Sequence, residues 1–301
     1  MFLIPAVILF GGNSEKIADV RDLTWRYIPA NFIVHRGFRF LFTRMIKFFL
    51  PKFDWITVTN SSERKWISEN TKVDKERISI LSNGISKEKF ETLINLEYKP
   101  DVTPFTITYV GNIGNGQNLH SLLRVVEKID GIRLVMIGNG NDYELFKKQV
   151  KKKRVDNIYF TGKLNWENVL PYYQHTSVLF ARLDENYSSA IPSKLFEYLS
   201  TGLPIIYCGE GEAARLLKQF SQTFILGSND EKGLKDAILK LKVLGSEIAE
   251  ENRDQIERKY IREMINMKID QFIANVTGVE IPEKTLVPVM QEERKLALSV
   301  S

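Results

Sequence analysis

From residue 106 onward the sequence predicts an α/β fold built on a parallel sheet covered on both faces. Two observations predict it. Short, continuously apolar runs alternate with amphipathic helical patterns, as expected of strands buried between helices. Turns rich in Gly, Asn and Pro punctuate each run.

Thr106–Val110 reads as a strand, and Asn118–Ile129 as a helix with Leu119, Leu122, Leu123 and Val126 at the i, i+3, i+4, i+7 spacing of one buried face. Ile132–Ile137 is the second strand. Asp142–Lys152 is a helix that Asp142 is expected to cap. Asn157–Phe160 is the third strand, with a helix starting near Asn165. Ser177–Ala181, Pro204–Cys208 and Thr223–Leu226 complete the set. Asp230–Leu244 is a helix stopped by Gly245. This half has the full complement of a Rossmann-like domain.

The first hundred residues are thinner. Lys16–Asp22, Trp55–Thr59 and Ile78–Leu81 read as strands or strand ends, the last leading into the turn Ser82-Asn83-Gly84; helices are predicted over Arg36–Leu50 and Ser62–Asn70. That is little for a doubly wound domain. The expected division is a partial domain over 1–100, a complete one over 101–245, a long charged helix over 246–276 packing back toward the first domain, and a mobile tail over 277–301. Glu97–Pro104, with Pro100 and Pro104, reads as the interdomain linker.

The chain has 301 residues, 44% hydrophobic, with net charge +5. That surplus favours anionic partners without choosing among nucleotide phosphates, anionic lipid and nucleic acid. A basic–aromatic sheet motif for nucleic acid is missing, so that partner is not expected. No run approaches the roughly 18 apolar residues of a membrane-spanning helix. The apolar opening Met1–Phe10 is short, contains Pro5 and lacks a basic start, so a buried strand or helix remnant is expected rather than a signal peptide. The single cysteine, Cys208, lies in an apolar strand and reads as an inert core thiol. His35, His120 and His175 stand apart from one another and from ligating partners, so no metal is expected.

The segment carrying most chemistry is Ser188-Ser-Ala-Ile-Pro-Ser-Lys-Leu-Phe-Glu-Tyr-Leu-Ser-Thr-Gly202. It runs from a loop into a short helix that Ser193 is placed to cap and Gly202 to end. A helix start offers unpaired N–H groups and a positive dipole end to an anion such as phosphate. Lys194 adds a cation, and Glu197 can accept hydrogen bonds from sugar hydroxyls. The plainer readings are a solvated Lys194 and a Ser193 that only caps. A second candidate is Gly111-Asn112-Ile-Gly114-Asn-Gly116-Gln117 between a strand and a helix, either a cradle for pyrophosphate or a tight turn. Gly138-Asn-Gly140 follows the next strand as a turn or a point of ligand approach. All three loops fall at the C-terminal ends of strands, the edge where open α/β sheets bind ligands.

Tyr109-Val-Gly-Asn-Ile-Gly, Val135-Met-Ile-Gly-Asn-Gly, Ile158-Tyr-Phe-Thr-Gly-Lys-Leu and Pro192-Ser-Lys-Leu-Phe-Glu-Tyr-Leu-Ser-Thr-Gly-Leu-Pro-Ile-Ile, in that order, resemble the donor domain of group-one, family-4-like retaining glycosyltransferases of GT-B fold, in particular their bacterial surface-polysaccharide branch. Ile80-Leu-Ser-Asn-Gly-Ile resembles the family's Pro-Asn-Gly turn. The resemblance covers about Lys16 to Phe272. It implies two Rossmann-like domains, the N-terminal one incomplete here and the C-terminal one complete. It also implies metal-independent, cofactor-free transfer of a hexosyl-type sugar from a nucleotide-sugar, most plausibly a UDP-sugar, to a glycan or lipid-linked glycan acceptor in the cytoplasm, with retained configuration.

Carried over by position, Glu197 would bind the donor ribose, while Ser193 and Lys194 would hold the diphosphate. Leu164 would meet the base through its main chain. Gly111, Asn112, Gly114, Gln117 and Gly138 would line the pyrophosphate and sugar. Asp22 could orient the acceptor or take its proton and Arg21 could hold phosphate, with buried salt-bridging as the rival reading.

The chain departs from the family at three places. Ser189 stands where many members have a second Glu. Asn112 and Gln117 replace a common Arg and Lys, which shifts phosphate neutralisation toward Lys194, backbone amides and helix dipoles. The front strands of the first domain are absent from the pattern, so the competing expectation is a non-catalytic or partner-dependent donor-binding subunit. Finally, Arg36–Leu50 mixes basic and aromatic residues at helical spacing. It reads either as a surface for an anionic membrane or as a core helix with an exposed Arg/Lys face.

Overall fold

A computed structural model describes residues 12, 14–27, 33–100, 103–114 and 116–277. The apolar start Met1–Phe10 and the tail beyond Thr277, both the subject of expectations above, lie outside the described residues.

The chain divides into two compact units, one formed by residues up to Lys87 together with those from Lys259 on, the other by Glu88–Arg258. In the first, β1 (Ile17–Val20), α1 (Ile33–Phe49), β2 (Trp55–Val58), α2 (Ser61–Asn70) and β3 (Ile78–Ile80) follow one another. The strands form a parallel sheet in the order β1-β2-β3, with Asp19 opposite Thr57 and Val58 opposite Ile80. Leu23, Ile56, Val58, Ile67 and Ile78 fill the core against it. Asn60 starts α2 by accepting the amide of Glu63 at 3.0 Å, which satisfies one orphan donor of the first turn.

The second unit opens with α3 (Lys87–Ile94) and continues β4 (Phe105–Val110), α4 (His120–Val126), β5 (Ile132–Ile137), α5 (Tyr143–Lys153), β6 (Ile158–Gly162), α6 (Trp166–Gln174), β7 (Val178–Arg182), α7 (Lys194–Thr201), β8 (Ile205–Cys208), α8 (Glu212–Leu217), β9 (Thr223–Leu226), α9 (Glu231–Leu244) and α10 (Glu250–Tyr260). Its six strands are parallel in the order β6-β5-β4-β7-β8-β9. Succession along the sheet reverses between β4 and β7. In doubly wound sheets, ligands bind outside the C-terminal strand ends at such a reversal. Ile107, Leu122, Leu134, Phe180, Ile206 and Ile238 are fully buried around this sheet.

Four local expectations change. The division falls at Lys87/Glu88 instead of near residue 100, because the intervening segment packs within the second unit: Lys89 Nζ lies 4.9 Å from the ring centre of Trp166, and the Lys99 amide donates to the Gln174 carbonyl. The single helix expected over 246–276 is two, α10 and α11 (Arg262–Thr277), broken at Ile261. Ile261 pairs as an isolated parallel bridge with Ile85, and the Ile85 amide donates to the Tyr260 carbonyl at 3.0 Å. A Cβ on Gly84 would lie 2.1 Å from that same carbonyl oxygen, so the Asn-Gly turn needs its glycine for this close approach. Asp142 occupies the position before α5, but its side chain makes no capping bond. Two short helices, α3 and α8, escaped the sequence reading because so few turns carry too little periodicity to register. Among the described residues, no helix is long and apolar enough to cross a membrane.

Candidate functional site

The C-terminal edge at the reversal of the second sheet carries the predicted donor-site residues, while Asp22 and Arg21 lie elsewhere. β4 ends at Val110 and hands the chain to Gly111, whose amide donates to the Ile137 carbonyl at 2.9 Å. Asn112 and Gln117 then close the loop on itself: Asn112 Nδ2 donates to Gln117 Oε1 at 2.9 Å, while the amides of Gln117 and Asn118 donate to the Gly114 carbonyl. The two residues standing where cations were anticipated therefore brace the loop. Gly138, at φ +141°, runs against this loop so closely that a Cβ would lie 1.8 Å from the Gly111 carbonyl oxygen. Its amide also donates to the Gly162 carbonyl at 2.9 Å. The glycine is thus required by contact between backbones, which keeps the ends of β4, β5 and β6 in one continuous edge. Leu164 lies just beyond Gly162, half-buried in the loop that leads to α6.

On the other side of the reversal, α7 brings Lys194 and Glu197 to the same edge. Glu197 is 6% exposed. Lys194 Nζ sits 3.1 and 3.0 Å from its two carboxylate oxygens, and the Tyr173 hydroxyl, fully buried on α6, donates to Oε1 at 2.7 Å. Burial, together with the negative Glu197 beside it, holds the Tyr173 phenol far above its usual range, so it stays a proton donor to the carboxylate. The adjacent Tyr198 anchors the helix to the first loop by accepting the Val110 amide at 2.7 Å. A second tie comes from the segment after β7: the Asp184 amide donates to the Gly116 carbonyl, and a Cβ on Gly116 would lie 3.3 Å from the Tyr187 ring. Gly202 ends α7 at φ +71°, as its sequence position predicts.

Ser193 behaves differently from expectation. It precedes α7 in helical rather than extended conformation, and its exposed side chain caps nothing. The first turn is tight: the Leu195 and Phe196 amides donate to the Pro192 and Ser193 carbonyls. Fewer free N–H groups therefore point outward than a regular helix start provides, and the positive charge at this end rests more on Lys194.

Asp22 and Arg21 lie in the first unit. Arg21 pairs with Asp19 at 2.6 Å, whose other oxygen accepts the Thr57 hydroxyl; that ion pair is about half exposed, unlike the buried salt bridge of the rival reading. Asp22 is half-buried just past β1. The Tyr27 hydroxyl donates to its Oδ1 at 2.6 Å, yet burial outweighs this bond and raises the carboxyl above its ordinary value.

Sequence reasoning missed three residues. Tyr173 carried no motif. Arg182, a cation closing an apolar strand, is a readable signal: it is buried and donates to Ser121 and Asn229, joining β7 to the helix behind the first loop. Glu63 is fully buried, and its Oε2 accepts the Thr59 amide and hydroxyl at 2.8 and 2.7 Å. Its Oε1 is buried without a partner. Burial, reinforced by the negative Asp22, lifts its pKa to about 7. The Asn60-x-x-Glu63 spacing of a capping box was its visible trace. Cys208 matches its reading as an inert thiol, since burial pushes it up to about 12.

The family model for glycosyl transferases group 1 matches residues 93–262, more than half of the chain. The chain belongs to this family. It is 22% identical over 206 residues to an uncharacterized glycosyltransferase of Methanocaldococcus jannaschii, covering 65% of this chain and 51% of that relative. It is 25% identical over 161 residues to the O-antigen biosynthesis glycosyltransferase WbnH of Escherichia coli, covering 54% and 43% of the two chains. The chain thus spans about half the length of the curated relatives it matches. Among solved structures it superposes on Anabaena HepE, determined in complex with UDP and glucose, with a TM-score of 0.67 at 11% identity, covering 90% of this chain and 75% of that one. At such identity the likeness is one of fold: α/β, GT-B-like, with two Rossmann-like domains.

Proposed function

We propose that this group 1 glycosyl transferase moves a hexosyl-type sugar from a UDP-sugar to a glycan or lipid-linked glycan acceptor in surface polysaccharide biosynthesis, with retained configuration and without a metal or cofactor. One observation carries the reading. A buried carboxylate, Glu197, and its lysine sit at the start of α7, tied through Tyr198 to the glycine loop at the sheet's reversal. In this reading the Glu197 carboxylate accepts the ribose hydroxyls. Lys194 leaves it to meet the diphosphate, and Tyr173 keeps the carboxylate oriented as the lysine departs. Backbone amides of Gly111–Gln117 and the dipole of α7 add partial positive charge where the leaving diphosphate gains negative charge. Ser193 adds an exposed hydroxyl beside the diphosphate, and the main chain at Leu164 faces the base. Asp22 orients or deprotonates the acceptor hydroxyl, a role its raised pKa suits, and Arg21 holds acceptor phosphate by exchanging Asp19 for it. The reaction belongs to the cytoplasm, with the acceptor presented at the inner face of a membrane.

The test is a thermal-shift titration. UDP at millimolar concentration is expected to raise the melting temperature, and Glu197→Ala to remove that shift. Absence of a shift with any nucleotide refutes donor binding. Binding without sugar transfer to a lipid extract favours the alternative of a partner-dependent donor-binding subunit.

A further inference from the structure

The helix α1 presents three distinct faces. Ile46 is buried, with Phe42 and Phe49 half-buried on the same side against the core of the first unit. A second face carries Val34, Phe38, Leu41 and Phe48 at intervals of four, three and seven residues, the spacing of one continuous helical stripe. All four side chains are more than half exposed. The third face holds Arg36, Arg44 and Lys47, all exposed, with the Arg44 guanidinium 5.9 Å from the centre of the exposed Phe40 ring. Just past the helix, Lys52 Nζ lies 4.1 Å from the centre of the Phe48 ring. From Leu23 to Phe53 the sequence contains no Asp or Glu.

We propose that α1 is a bilayer-docking element, lying in the plane of an anionic membrane with Phe38, Leu41 and Phe48 in the acyl boundary and Arg36, Arg44 and Lys47 at the headgroups. An apolar stripe flanked by a basic one is the pattern of helices that rest at a lipid interface. Charge selects the occupant. Basic residues near an anionic leaflet are drawn to it, and no acidic side chain of this segment offsets that attraction. A two-fold pairing with a second copy would instead bring two acid-free basic faces together. The inference deepens the membrane part of the functional reading and depends on no part of the donor site, so either can fail alone.

The experiment is co-sedimentation of the full chain with sucrose-loaded vesicles, either neutral phosphatidylcholine or with about one-third phosphatidylglycerol. Binding is expected to the anionic vesicles, at least about tenfold tighter than to neutral ones, and to be lost near 1 M salt. The triple change Phe38→Ser, Leu41→Ser, Phe48→Ser and the separate triple Arg36→Gln, Arg44→Gln, Lys47→Gln are each expected to weaken it by about tenfold or more while leaving the circular-dichroism melting curve in place. Equal sedimentation with both vesicle types, or with neither, overturns the proposal. So does a wild-type dimer that the serine variant converts to monomer without any vesicle binding.

Discussion

Glu63 and Glu197 invite comparison, since each sits in the first turn of a helix at the C-terminal edge of a parallel sheet and each is almost wholly buried. Their surroundings part company. Glu197 has a lysine across both oxygens and a tyrosine hydroxyl on one of them. Among the described residues, Glu63 has two donors on one oxygen, none on the other and no ion-paired cation. A buried carboxylate without a countercharge is cheapest when neutral, which is why Glu63 titrates near 7. One glutamate is therefore held by a cation and a hydroxyl, whereas the other is kept in the fold as a weak acid.

The largest expected effect separates the two by ligand binding. Glu197→Gln should lower UDP affinity by about a hundredfold, the loss of roughly two charge-assisted hydrogen bonds; Glu63→Gln should leave calorimetric affinity within about twofold. Equal losses would end the distinction.

Next in size is a pH effect carried chiefly by Glu63, with Asp22, also raised by burial, acting in the same direction. The folded pKa of Glu63 is raised, so the stability it contributes is fully present below its ordinary value near 4.5 and is lost as pH climbs through about 7. Urea unfolding is expected to show stability falling by about 2 kcal/mol across that window, a figure discounted for solvent screening. Glu63→Gln should flatten this component of the profile, whereas Glu197→Gln should keep it.

The smallest effect sharpens the Glu197 side. Tyr173→Phe removes one donor and leaves a small gap, so a stability loss of about 1–2 kcal/mol is expected. UDP binding should weaken by about three- to tenfold, since the carboxylate loses its orienting bond. An unchanged Kd would make Tyr173 a packing residue alone.

Much of this was legible in the sequence, because the signals were local. Apolar runs and helical spacing marked all six strands of the second sheet, and the helix starting at Lys194 follows β7 at its C-terminal edge. What escaped reading depends on contacts between distant segments. Tyr173 meets Glu197 across 24 positions, and Tyr198 meets Val110 across 88. Gly138 looked like an ordinary turn until the backbone of Gly111 was found against it. Ile261 broke an otherwise helical stretch through a bridge to Ile85, which no periodicity encodes. Ser193 failed as a cap because its backbone is already helical, a choice made by the preceding Pro192 turn and invisible in residue type.

On the proposed reading, the lysine lying across Glu197 is a tenant in the donor's own place. Any visitor must first dislodge that tenant. A nucleoside can offer hydroxyls to the carboxylate but gives the evicted ammonium nowhere to go. A nucleoside diphosphate supplies a new anionic berth in the same act. On the proposed reading, selectivity for phosphorylated ligands is enforced twice, once by attraction and once by the cost of turning Lys194 out.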